Sequence, residues 1–287
     1  MHQINTLPWN DLTHRQMVAT GITNSNLWRT YPGYSSINQQ ENGTNFNYNS
    51  LQAGLRMENR WGLTTQLAYT WSHLIDINSN DNNGAGFTAP FNPKYDRGSD
   101  AGYDRRHIFN ASYVYDLPFF RHQGNLAQRE ILGGWSISGI TMAQVGTPVV
   151  TSLTGIDTVG LGNGGNRPNL VSRVKYLDPR KGNSWFDKSS FANPTAQWNG
   201  GTTGGYGTAG KDAVVGPGLF NWNLSLFKSF ALTPGEGTRL ELRFESFNTF
   251  NHTSFTSVNT SSGDPNFGKV TADYTPRTLQ FGGKLTF

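Results

Sequence analysis

The chain has no cysteine, little charge and no long apolar run, and each absence removes a class of protein. Without cysteine there are no disulfide frameworks, no thiolate zinc sites and no thiol nucleophile, a composition compatible with an oxidising envelope. Charged residues are 15% of the 287, and the net charge of +4 is spread without a block of Lys or Arg. The basic pI of about 9.3 therefore gives no reason to expect a nucleic-acid partner. Only 35% of residues are apolar, and mean hydropathy is -0.52. No stretch approaches the ~18 consecutive apolar residues of a membrane helix, which excludes a helical membrane protein. A membrane barrel stays open, because half of each barrel strand faces a wet lumen. Met1 to Asn5 carries no basic region followed by an apolar core, so no secretory signal is read there. The chain is then either cytosolic or a piece of a longer precursor.

What is present favours strands. Aromatic residues make up 13%, and there are 34 glycines with Asn-rich connecting segments. About seven segments alternate between apolar and polar residues. They run Phe46 to Glu58, Gly62 to Ile75, Arg106 to Leu117, Gly134 to Val145, Phe220 to Leu232, Arg239 to Phe250 and Arg277 to Phe287. In the last, Leu279, Phe281, Gly283, Leu285 and Phe287 alternate with Thr278, Gln280, Gly282, Lys284 and Thr286. A run of about ten such residues is what a tilted strand needs to cross the hydrocarbon layer.

The connections alternate in length. Arg60-Trp61 and Thr233 to Thr238 are tight and Pro118 to Gly133 is intermediate, whereas Asp76 to Arg105, Gly146 to Leu219 and Asn251 to Pro276 are long. Outer-membrane barrels have this asymmetry, with short periplasmic turns and long external loops. Loops beyond ~15 residues are uncommon in compact soluble domains. The fold expected is an all-β, antiparallel transmembrane barrel segment of about seven strands. The Gly, Asn and Pro content of 146–219 is read as leaving too few apolar residues for an independent core.

The terminal strand resembles the signal by which bacterial outer-membrane barrels are recognised by their assembly machinery: Gln280, Gly282, Leu285 and a final aromatic, Phe287. That resemblance implies a periplasmic C-terminus. Counting back, the first strand also runs inward, so its start lies outside the cell. Since bacterial single-chain barrels have even strand numbers, this reading expects further sequence before Met1.

Several strings together resemble the C-terminal barrel of TonB-dependent outer-membrane receptors of the Oar-like group. They are Tyr31-Pro32-Gly33-Tyr34, Asn49 to Gln52, Tyr69 to His73, Asp104 to His107 with Tyr115 to Pro118, Gly133-Gly134-Trp135, Gly216-Pro217-Gly218 with Asn221-Trp222, Phe247-Asn248 through Asn251-His252, and Pro276-Arg277 through Phe287. The resemblance implies the outer membrane, with its lipid, the assembly machinery and an unknown ligand as partners. It also implies TonB, reached through a plug that this sequence lacks along with the carboxypeptidase-regulatory-like domain. Residues 1–45 would be the external loop region of a preceding hairpin, 46–287 the C-terminal part of the barrel, and 146–219 a long external loop. No catalytic role is carried over, and the quoted residues are architectural.

Other motifs yield to simpler readings. Gly160 to Gly165 satisfies G-x-G-x-x-G by spacing, but Asn166-Arg167-Pro168 follows where a dinucleotide fingerprint needs a helix. Asn78 to Gly84 lacks the regular acidic positions and the Glu of an EF-hand loop, and turn chemistry accounts for it. The six histidines show no ligand spacing, and no serine nucleophile elbow occurs. No enzyme activity, metal or cofactor is expected.

Tyr69, Trp71, Tyr113, Tyr115, Trp135 and Trp222 lie near strand ends on apolar faces and are assigned to interfacial girdles, where an amphipathic ring meets both apolar and wet surroundings. A sandwich core would bury the same rings. Glu241, Arg243 and Glu245, opposite Leu240, Leu242 and Phe244, are assigned to the lumen. They suit either cross-strand pairing or ligand contact. The function read is the C-terminal barrel portion of a TonB-dependent receptor for ligand uptake. Two alternatives are a stand-alone porin or adhesin-like barrel and a soluble sandwich binding carbohydrate through Trp185, Trp198 and Tyr206.

Overall fold

The computed structural model describes residues 2–3, 29–34, 37–39, 45–77, 88, 92–100, 102–119, 125–154, 166–194, 205–232 and 237–287. Its centre is a meander of long strands: β1 (Asn47–Arg60), β2 (Leu63–Asp76), β3 (His107–Asp116), β4 (Trp135–Gln144), β5 (Leu219–Ala231), β6 (Arg239–Phe247) and β7 (Thr278–Thr286). Each pairs antiparallel with its sequence neighbours, giving the order β7-β6-β5-β4-β3-β2-β1, with Gly98–Ser99 added beside the end of β2. The sheet is open: among the described residues, nothing pairs the outer edges of β1 and β7.

All seven alternating segments of the sequence are strands, displaced by a residue or two at their ends. β6 stops three residues early, because Asn248 and Asn251 adopt left-handed φ values of 51° and turn the chain. Asparagine tolerates that conformation better than a β-branched residue would. The β1–β2 turn is similar, with Asn59, Trp61 and Gly62 all at positive φ, a bulge between Met57 and Arg60, and the Thr64 hydroxyl accepting from the Asn59 amide at 3.1 Å.

Register fixes two faces. Leu63, Tyr115, Ile137, Leu226, Phe244 and Phe281 form one continuous row across six strands. The neighbouring row on the opposite face holds Thr64, Val114, Ser138, Ser225, Glu245 and Gln280. Apart from one end of β4 and β5, where the connection before β4 packs on it, the apolar face is uncovered: Leu55 is 58% exposed and Phe281 80%. Of the described wall residues, only Ala111 is a buried hydrophobic.

The hydrophobic core lies elsewhere. Phe186, Phe191, Ala209, Val214 and Phe267 cluster beyond one end of the sheet, with Val149, Trp185 and Val258 against them. The three phenylalanine rings meet edge to face at 5.1–5.5 Å, an arrangement worth about 0.5–1.5 kcal/mol per pair beyond area burial. Short pairings organise this cap: Pro148–Val149 with Val214–Val215, Asn169–Leu170 with Phe191–Ala192, and Phe255–Val258 with Val270–Asp273. The 146–219 connection does not form this core by itself. The residues are sparse in sequence, but the 251–276 connection completes their packing with Phe267 and Val258. Backbone bonds join the two segments, among them Trp185 N–H to Gly268 O and Val270 N–H to Asn183 O, both 2.8 Å. The stems of the long connection touch so closely that a Cβ on Gly146 would lie 1.9 Å from the Gly216 carbonyl oxygen, so only glycine fits there.

The intermediate connection also holds structure the sequence reading did not assign. A helix, α1 (Leu126–Leu132), starts with a capping box: Asn125 Oδ1 accepts from the Gln128 amide at 2.8 Å, and Gln128 Oε1 accepts from the Asn125 amide at 3.1 Å. Most of 1–45 lies outside the described residues; within it, His2–Gln3 pairs with Asn38–Gln39. Asn78 to Gly84, Gly160 to Gly165 and Trp198 also lie outside them.

Candidate functional site

The polar face is the concave one. A concavity of about 530 Å³ spans the middle of the sheet, and its lining includes Arg56, Gln66, Ser112, Asn223, Ser225 and Glu245. Alternation puts these side chains there, since every second residue of a strand shares a face. Glu241, Arg243 and Glu245 stand on this side: the Arg243 guanidinium lies 2.5 Å from Glu241 and 3.9 Å from Glu245. β7 places Lys284 opposite Glu241, Gly282 opposite Arg243 and Gln280 opposite Glu245. Charge therefore alternates within β6 and across to β7, and the small glycine leaves room above Arg243. Such a surface holds water and polar groups well.

At the end beyond which the core lies, three long connections converge, pinned by buried polar contacts. Asp76, at the end of β2, is ion-paired with Lys211. The neighbouring Asp212 accepts from the Ser99 amide at 2.9 Å. Arg167, 2% exposed, bonds Asp96 at 3.1 Å, donates to the Tyr95 carbonyl and lies 3.9 Å over the Tyr95 ring. Tyr95 returns a bond to Gly207 O at 2.7 Å, and burial raises its pKa even though the adjacent Arg167 opposes the shift. Buried charges without such partners would cost several kcal/mol each. These contacts bind 92–100 to 166–169 and 205–212, so the cap is one locked unit.

Asp104 anchors the same end to the strands. It accepts from the Leu74 amide at 2.9 Å and from Arg106 Nε at 3.1 Å, and it lies 3.3 Å from His73 Nδ1. Burial alone would raise its pKa. The Leu74 amide, His73 and Arg106 outweigh it and hold the carboxyl below the ordinary 3.8.

The six assigned aromatics separate into levels on the apolar face. Tyr69 and Trp71 are not near the ends of their own strand as expected: β2 runs on to Asp76, so they are mid-strand in it, but level with the start of β3, where the Tyr69 hydroxyl meets His107 Nδ1 at 2.8 Å. Trp222 meets Phe250 edge to face, ring centroids 4.9 Å apart, near the same end. Tyr115 and Trp135 lie toward the opposite end. Tyr113 is between: it crosses Gly139, where a Cβ would come within 2.4 Å of its hydroxyl, and accepts a bond from the Trp222 indole N–H. The sequence reading missed this unit, although a glycine inside a strand signals close approach by another group.

Gln280, Gly282, Leu285 and Phe287 lie on or directly after β7, and Phe287 is 94% exposed. Trp185 belongs to the cap, where its indole donates to Val215 O at 2.8 Å, while Tyr206 packs on Tyr95 with ring centroids 5.2 Å apart.

A single sheet layer with a wet concave side, a bare apolar side and a compact cap on one end has the organisation of a membrane wall. The family model for an outer membrane beta barrel domain matches residues 1–280. The chain belongs to that family. No curated protein and no solved structure matches it. As a member of this outer-membrane barrel family, the protein resides in the outer membrane. The bare apolar face then has lipid as its counterpart, and the soluble sandwich is set aside, since no second sheet covers that face among the described residues. In such barrels long connections are external and short ones periplasmic. Here the cap stands at the long-connection end of the wall, and the β1–β2 and β5–β6 turns with α1 stand at the short-connection end.

Proposed function

We propose that the seven strands form the C-terminal part of the wall of a TonB-dependent receptor of the Oar-like kind, which captures a ligand outside the cell and passes it inward. The observation that carries this reading is the open meander, whose edges on β1 and β7 are bare among the described residues. Unpaired edges are not tolerated in hydrocarbon, so the wall closes with further strands, as a barrel of about 22 strands around a plug would supply. The strings Tyr69 to His73, Asp104 to His107 and Gly216 to Gly218, which resemble that group, support it.

On this reading the protein is architectural and not an enzyme. Glu241, Arg243 and Glu245 face the plug or the ligand across the lumen, and the six aromatics occupy the two interfaces. Gln280, Gly282, Leu285 and Phe287 are read by the assembly machinery, and TonB acts through the plug.

The experiment is cross-linking in cells that make the natural gene product. Peptides of this chain should come from an outer-membrane polypeptide far larger than 31.7 kDa that cross-links to TonB. A 31.7 kDa outer-membrane protein that never cross-links to TonB would replace this reading with a stand-alone porin or adhesin. In the same cells, Phe287→Ala should reduce outer-membrane insertion far more than Leu242→Ala, because a lost exposed ring forfeits at most ~3 kcal/mol of burial while lost recognition stops assembly. Equal insertion of the two variants would remove the assembly role from Phe287.

A further inference from the structure

One cation stands on the wrong side of the wall. Lys228 lies on the apolar face, in register with Trp135 on one neighbour and Leu242 on the other, between Leu226 and Phe230 of its own strand. Yet it is only 4% exposed. Its ammonium donates to the carbonyls of Glu130 and Gly133, which close the last turn of α1, and sits 4.8 Å over the Phe230 ring and 5.9 Å from the Trp135 ring. Trp135 Nε1 adds a bond to Ile131 O at 3.0 Å. The unsatisfied carbonyls of a helix C-terminus carry partial negative charge, so the lysine and the helix end satisfy one another.

These contacts fasten α1 across the membrane-facing side of β4 and β5, at the short-connection end. Its remaining surface is amphipathic: Gln128, Arg129 and Glu130 are exposed, and so are Ile131 (62%) and Leu132 (48%). Phe119, 64% exposed, precedes it in the same connection. Apolar side chains continuous with a lipid-facing wall, beside charged ones at its rim, match the boundary between acyl chains and headgroups.

We propose that α1 is a membrane-interface anchor. Ile131 and Leu132 enter the acyl-chain boundary of the inner leaflet, Arg129 meets phospholipid phosphates, and Lys228 pins the helix in that position. The occupant is the phospholipid of the periplasmic leaflet, and the anchor sets the depth of the wall beside β4 and β5.

The test puts single spin labels on cysteines introduced into this cysteine-free chain, with any cysteine elsewhere in the natural gene product replaced, in outer-membrane vesicles from cells producing that product. Labels go at Ile131, at Leu226 on the apolar face and at Thr238 in the β5–β6 turn. The ratio of collision with oxygen to collision with a water-soluble nickel chelate reports depth. At Ile131 it should exceed the Thr238 value several-fold and fall below that of Leu226. Lys228→Met, with Leu226 unchanged as the control for an intact wall, should bring the Ile131 ratio down toward Thr238, and Lys228→Arg should restore it. A Leu226 label in lipid with an Ile131 label as wet as Thr238 would overturn the anchor and leave the barrel standing. An Ile131 ratio indifferent to Lys228→Met would overturn the pinning role.

Discussion

The wall and the cap are built from the same low-hydropathy chain and solve burial in opposite ways. In the wall, leucine and aromatic side chains stand on an uncovered face, and among its described residues only Ala111 is a buried hydrophobic. In the cap, far fewer apolar residues turn inward, and Phe186, Leu153 and Val214 are at most 1% exposed. Apart from Lys228 under α1, charged groups follow the reverse order. Wall charges such as Arg243 and Glu245 remain half-exposed, whereas the cap buries Arg167 and the rim buries Asp76 and Asp104. The difference shows which solvent each region answers to: the cap must supply its own apolar interior in water, while the bilayer supplies one for the wall.

The largest expected effect that sharpens this contrast is in the cap. Phe186→Ala removes a ring at the centre of its core and should destabilise the cap by about 3–5 kcal/mol. Limited proteolysis of intact cells should then cut within 166–194 while heat-modifiable migration of the wall is unchanged. Unaltered protease resistance would mean that the cluster is not what holds the cap together.

A somewhat smaller effect is expected in the wall, and it depends on the face. Leu226→Arg puts a charge against hydrocarbon and should cost about 2–4 kcal/mol near the midplane. Ser225→Arg, one residue away on the concave side, should cost almost nothing. Unfolding of both variants from phospholipid bilayers measures the gap, and equal costs would dissolve the distinction between faces.

The smallest effect is a pH dependence at the rim. Folding lowers the Asp104 pKa below 3.8, so the folded state binds that proton less readily than the unfolded one. Its contribution is complete above about pH 4 and is lost as pH falls through the folded value. Amide exchange at Leu74, which donates to Asp104, should accelerate in acid below that point, and Asp104→Asn should remove the acid-dependent step. Persistence of that step in the variant would assign it to another group.

Strands were legible because period-two alternation is local: Leu63 to Trp71 and Leu279 to Phe287 each declare a face without reference to anything distant. Their connectivity was legible too, since a meander follows when short and long connections alternate. The cap was not, because its core joins residues remote in sequence, such as Phe191 and Phe267, with no periodicity between them. Its buried pins were hidden for the same reason: Arg167 and Asp96 are 71 positions apart, and Lys211 and Asp76 are 135 apart. Lys228 shows the limit of alternation itself. The pattern places it on the apolar face, and only the helix end that receives its ammonium explains why a lysine is tolerated there.

The central claim is that the wall's apolar face meets lipid while the opposite face meets water. Fluorophores on single cysteines at Leu242, Phe281 and Arg243, in bilayers containing brominated phospholipid or with aqueous iodide outside, test it most directly. Quenching by the brominated chains at Leu242 and Phe281, with iodide reaching only Arg243, is the result predicted. Brominated-lipid quenching at Arg243 with iodide quenching at Leu242 and Phe281 would contradict it.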